Sequence, residues 1–126
     1  MYHIIINPAS KSGKGLSIWK TLEPILSERN ISYHTYISTH IGHVSELVRD
    51  ITSSAPDGAP PLNLILLGGD GTVNEALQGI EDFNRVNIGY IPTGSSNDLA
   101  RALKLHHDPV ELMSQILDGS KLRMID

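Results

Sequence analysis

Short apolar runs alternate along this chain with longer segments in which apolar residues recur every three or four positions. Tyr2 to Ile6 reads as a strand ending at Asn7-Pro8, and Ala9 to Gly15 as a small, polar, doubly basic loop. Ile18, Leu22 and Ile25, with Trp19 and Leu26, mark one face of a helix running to about Glu28. Pro24 inside it is expected to cost a hydrogen bond and to kink it. Ile31, Tyr33, Thr35 and Ile37 alternate, predicting a second strand that ends near Ser38-Thr39. Val44, Leu47, Val48 and Ile51 predict a second helix, and Ser53 to Pro61, rich in Pro, Gly and Ser, a loop. The apolar run from Leu62 to Leu67 reads as a strand covered on both faces. After a glycine turn, Val73, Ala76, Leu77 and Ile80 fall at helical spacing. Asn87 to Ile91 predicts a fourth strand, broken at Pro92 to Asp98, and Leu99, Ala102 and Leu103 a short helix. Asp108-Pro109-Val110-Glu111 combines an N-cap acid, a proline at the first helical position and a capping-box glutamate. The helix it opens should stop at Gly119, and Leu122 to Ile125 looks like the beginning of a strand.

Strands alternating with helices at this spacing predict one α/β domain, a three-layer, Rossmann-like arrangement with a mostly parallel sheet. Ligands of such sheets bind beyond the carboxyl ends of the strands. That edge should gather four loops: Asn7 to Gly15, Thr39 to His43, Gly68 to Thr72, and Pro92 to Asn97. Each carries glycine or small hydroxyl residues, as a nucleotide site requires.

Composition narrows the function classes. The 126 residues suit one domain, with 40% hydrophobic and 19% charged residues as in an ordinary soluble protein. A net charge of −4 argues against a nucleic-acid binder. The absence of cysteine rules out disulfides and thiolate chemistry and suits a cytoplasmic protein. Met1 leads straight into a strand, so no signal peptide is expected. No apolar run approaches the roughly 18 residues of a transmembrane segment, so any membrane contact should be peripheral.

The chemistry concentrates in Gly68-Gly69-Asp70-Gly71-Thr72, followed by Asn74-Glu75. At such a turn the backbone can approach a ligand with no Cβ in the way, and the helix start offers amides to an anion. A turn that merely required a positive φ would take one glycine, not three around an acid. A phosphate is the natural guest, and Asp70 would be awkward there without a metal or a hydroxyl to serve. No Lys-Ser/Thr pair follows Gly71, which excludes a Walker loop. Asn74 stands where the dinucleotide fingerprint needs its third glycine.

Three ordered motifs resemble the diacylglycerol kinase catalytic domain over nearly the whole chain. They are Asn7-Pro8 with Ser12-Gly13 and Gly15; Gly68 to Glu75; and Pro92-Thr93-Gly94-Ser95-Ser96-Asn97-Asp98-Leu99-Ala100-Arg101. The family includes bacterial lipid kinases and sphingosine and ceramide kinases; NAD kinases and phosphofructokinases carry related glycine-aspartate turns. The resemblance implies ATP binding between two domains, Mg²⁺, and phosphate transfer to a lipid hydroxyl at the membrane surface. It implies that Asn7, Ser12 and Gly13 border the nucleotide and that Thr39, with Gly42-His43 after it, contacts ATP. Gly68, Gly69, Gly71 and Thr72 would form the phosphate cradle and Glu75 would reach the nucleotide, while Thr93, Gly94 and Ser95 would line the opposite wall. Asp70 would stand beside the acceptor hydroxyl or its Mg²⁺. Ser95-Ser96 is a mild departure from the family's small-residue pattern. The family also continues into a second, mostly β domain carrying much of the lipid site, which is expected beyond Asp126. With this domain alone, weak activity or none is expected, and a homodimer is left open.

Plainer readings stand beside these. Lys11 and Lys14 serve equally as phosphate contacts or solvated loop lysines. Glu75 suits the helix dipole wherever it points. Asn97 and Asp98 double as helix caps, and Arg101 suits a helix-face ion pair. His40 and His43 lack an intervening carboxylate or cysteine, so no transition-metal site is expected; His106-His107 reads as solvated surface. An NAD kinase-like enzyme and a non-catalytic nucleotide-binding regulatory domain are the rival functions.

Overall fold

The computed structural model describes residues 1–8, 15–93 and 108–118. Four parallel strands, β1 (Tyr2–Ile6), β2 (Tyr33–Ile37), β3 (Leu62–Gly68) and β4 (Val86–Pro92), form a sheet in the order β2-β1-β3-β4. Helices α1 (Gly15–Glu28) and α4 (Pro109–Leu117) cover one face, and α2 (His43–Ser53) and α3 (Asp70–Gly79) the other. A 3₁₀ turn at Phe83–Arg85 precedes β4. The three-layer α/β expectation therefore holds.

Period-two alternation divides the core between the two faces. Ile4, Ile6, Ile65 and Leu67 pack with Trp19, Leu22 and Leu26 of α1 and Leu112 and Met113 of α4. Ile5, Leu64 and Leu66 pack on the other side with Val44, Val48 and Ile51 of α2 and Val73 and Ala76 of α3. An apolar run in β1 and β3 is thus what burial on both faces demands. β2, at the edge, is only partly covered.

Helix boundaries follow local chemistry. α1 runs through Pro24 and stops where Asn30 takes a left-handed φ of 56°. The Asn30 amide then donates to the Ser27 carbonyl at 3.2 Å and the Ile31 amide to the Leu26 carbonyl at 3.0 Å. These two bonds form a Schellman closure, and Ile31 packs in the same cluster as Leu26, as that motif favours. Ile31 is therefore spent on ending the helix, and the second strand begins at Tyr33 rather than at Ile31. The Asp108 carboxylate accepts from the Val110 amide at 3.0 Å, with Pro109 opening α4 as predicted. The short helix expected at 99–103, His106-His107, the stop at Gly119 and the strand expected at 122–125 lie outside the described residues.

The crossovers through α1 and α3 lie on opposite faces, so the chain leaves β1 and β3 in opposite directions at the carboxyl edge. A crevice opens between adjacent strands at such a switch point.

Candidate functional site

The switch point is braced by a short chain of contacts. The Asn7 amide continues the ladder by donating to the Leu67 carbonyl at 2.9 Å. Its side-chain Nδ2 donates to Thr72 Oγ1 at 2.9 Å, tying the end of β1 to the first turn of α3. Thr72 is buried and lies directly over Gly68, where a Cβ would overlap the threonine hydroxyl and stand 2.7 Å from its Cβ. The Gly68 carbonyl accepts from the Thr93 amide at 3.0 Å, fixing β4 to the same turn.

The three glycines are not there for unusual torsions. Gly69 is extended at φ −106°, ψ −168°, and the described glycines with positive φ are Gly42 and Gly58. Gly68 leaves room for Thr72. At Gly69 and Gly71 a Cβ would meet nothing within 4 Å among the described residues, and Gly71 is exposed while Gly69 is partly so. Gly69 is the N-cap of α3, and its carbonyl accepts from Thr72 and Val73. The helix starts three residues earlier than the apolar spacing indicated, at Asp70. That start makes the carboxylate comfortable, because an acid in a first turn is favoured by the helix dipole; it needs neither metal nor hydroxyl to be tolerated. The side chain is half-buried, with Oδ1 3.5 Å from the hydroxyl of Tyr90. Burial, and then the Asp70 charge beside it, push the Tyr90 hydroxyl well above the ordinary tyrosine range. Tyr90 consequently stays a neutral donor beneath the acid.

A cleft of about 600 Å³ opens beside this brace at the ends of β1 and β2. Asn7, Pro8, Ile37, Ser38, Thr39, His40, Ile41 and Glu75 line it. Its volume falls in the range of small-molecule sites, roughly 300–1,000 Å³. Two of its apolar residues lie open to solvent, Ile41 at 95% exposure and Ile37 at 47%. Glu75 Oε1 accepts from the Gly42 amide at 3.0 Å, latching the β2–α2 loop onto α3. Gly42 has a left-handed φ of 87°, which glycine alone adopts freely. Thr39 stands exposed on the cleft wall, its amide bonded to His43 Nδ1 at 2.9 Å.

The structure thus brings Asn7, Gly68, Gly69, Asp70, Gly71, Thr72, Glu75 and Thr93 around one turn, with Thr39 across the cleft. Thr72 and Thr93 are buried, the first tied to the turn through its hydroxyl and the second through its backbone amide. Ser12, Gly13, Gly94 and Ser95 lie outside the described residues, as do Lys11, Lys14, Asn97, Asp98 and Arg101.

Residues 1–125 match the diacylglycerol kinase catalytic domain. The chain belongs to that family. It is 36% identical over 121 residues to a diacylglycerol kinase of Staphylococcus epidermidis, covering 92% of this chain and 35% of that enzyme. Sphingoid long-chain bases kinase 1 of Arabidopsis thaliana is 29% identical over 124 residues, covering 92% of this chain and 16% of the plant protein. Among solved structures, a diacylglycerol kinase from Bacillus anthracis str. Sterne superposes with a TM-score of 0.75 at 23% identity, over 94% of this chain and 42% of that one. The likeness at that identity is one of fold. The chain spans about a third of the length of its curated bacterial relatives.

Within this diacylglycerol kinase catalytic domain, the described cleft lining contains no lysine or arginine. Its one described carboxylate is Glu75, whose Oε1 already accepts from Gly42, while Asp70 stands at the neighbouring glycine turn. Among the described residues no helix is long and apolar enough to cross a membrane.

Proposed function

We propose that this domain is the nucleotide-binding part of an ATP-dependent kinase that phosphorylates diacylglycerol or a related lipid alcohol. The observation carrying the proposal is the uncovered backbone at Gly69 and Gly71, at the start of α3 and beside a cleft of nucleotide size. Family membership supports the lipid acceptor, which a second, mostly β domain following this one would help to bind at a membrane surface.

Phosphoryl transfer asks the protein for positioning and charge neutralisation more than for covalent help. The start of an α-helix favours an anion, so the main chain at Gly69 and Gly71, at the start of α3, would receive phosphate oxygens. Mg²⁺ held near Asp70 would supply the remaining positive charge. In the transfer, the acceptor oxygen bonds to the γ-phosphorus while the bond to the β–γ bridging oxygen breaks and ADP leaves. The acceptor's proton goes to Asp70, a carboxylate that Tyr90 holds from below. Thr39 and Asn7 keep the nucleotide side of the cleft in place.

Full-length protein supplied with ATP and Mg²⁺ should convert diacylglycerol in mixed vesicles to phosphatidic acid, and should leave NAD unphosphorylated. Phosphorylated NAD, or hydrolysis of ATP with every lipid alcohol left intact, would contradict the proposal.

A further inference from the structure

The β2–α2 loop is held at two points. At one, Glu75 accepts the Gly42 amide. At the other, the Thr39 amide donates to His43 Nδ1 at 2.9 Å, and Thr39 Oγ1 lies 3.3 Å from the same nitrogen. A backbone N–H can only donate, so this nitrogen must carry a lone pair and His43 is the neutral Nε2–H tautomer. His40 stacks on His43 with ring centroids 4.5 Å apart and an interplanar angle of 11°. His40 is itself held on both sides, with Nδ1 3.0 Å from Thr39 Oγ1 and Nε2 3.3 Å from Glu46 Oε2. Glu46, Arg49 and Asp50 share a hollow with His43 on the outer side of α2.

We infer that His43 is a positioning residue for the nucleotide wall: its Nδ1 accepts from the Thr39 amide and so fixes Thr39. Without that acceptor the Glu75 latch would keep α2 docked, so the loss falls on Thr39 and the cleft rather than on the fold. The inference rests on the ATP-binding reading above, and two measurements separate the two.

The first needs no nucleotide. In full-length protein labelled with ¹⁵N, a scalar coupling across the hydrogen bond should connect Thr39 N with His43 Nδ1. The second is Mg·ATP affinity by calorimetry. His43→Ala should weaken it by about 5- to 10-fold, the worth of one hydrogen bond. His43→Asn should restore most of it, because Asn Oδ1 branches from Cγ where Nδ1 does and can accept the same N–H. Unchanged affinity in His43→Ala, or no coupling, would overturn the positioning role. A wild type that binds no ATP would refute the nucleotide reading and this role with it, even with the coupling present.

Discussion

If the proposed function holds, Asp70→Asn in the full-length protein is expected to lower kcat by about 10²- to 10⁴-fold, the usual worth of a positioned acid or base. The substitution keeps the shape of the side chain and an oxygen for the Tyr90 hydroxyl, 3.5 Å away in the wild type. It removes the negative charge from the first turn of α3, where the dipole interaction is worth about 0.3–1 kcal/mol. Unfolding free energy should therefore change by no more than about that amount. Circular dichroism and thermal unfolding would check the fold, and steady-state phosphorylation of diacylglycerol the turnover. A variant with near-normal kcat would remove Asp70 from the chemistry. Because the carboxylate sits comfortably at a helix start, its presence alone does not imply catalysis, which makes the experiment informative.

Gly68→Ala and Gly71→Ala, three residues apart, should behave oppositely. At Gly68 a Cβ would overlap the Thr72 side chain, which is buried and bonded to Asn7. Thr72 must move, the Asn7 brace breaks, and overpacking of this kind costs about 1–3 kcal/mol. Total domain stability is only about 5–15 kcal/mol, so the loss should show as a clear fall in Tm. At Gly71 the new methyl enters open space on an exposed helix position, where alanine is favoured over glycine by up to about 1 kcal/mol. Gly71→Ala should fold at least as well as the wild type yet bind Mg·ATP about tenfold less tightly, because its methyl stands where phosphate must approach. Denaturant titration together with calorimetry would read both effects. If Gly71→Ala bound ATP normally, the bare backbone would have no ligand to explain it.

The elements were legible wherever periodicity and caps agreed. Leu62 to Leu67 is apolar because both faces of β3 are covered, and Asp108-Pro109 names the start of α4 outright. That the ends of β1, β2 and β3 would meet at the carboxyl edge followed from strand-helix alternation alone. Ile31 alternates with Tyr33 as in a strand, whereas the Schellman closure of α1 claims it. The glycine turn is plain in the sequence, but the division of labour within it depends on where the Thr72 side chain falls. A tyrosine in an apolar strand, such as Tyr90, looks like core, and only the fold sets its hydroxyl near Asp70. The same is true of the Glu75–Gly42 and Thr39–His43 bonds, since which side chain meets which amide is settled by packing. Gly15 shows the converse: a Cβ there would stand 3.0 Å from the Asn7 carbonyl oxygen, a crowding the loop's polar composition does not reveal.

Backbone amide shifts of the ¹⁵N-labelled full-length protein, followed as Mg·ATP and then adenosine are added, probe the glycine turn most directly. Mg·ATP should move the Gly69, Asp70 and Gly71 resonances strongly, and adenosine should leave them in place while perturbing the cleft wall near Thr39. If the triphosphate left those three amides unmoved while binding elsewhere, the main chain of this turn would not be what holds the phosphates.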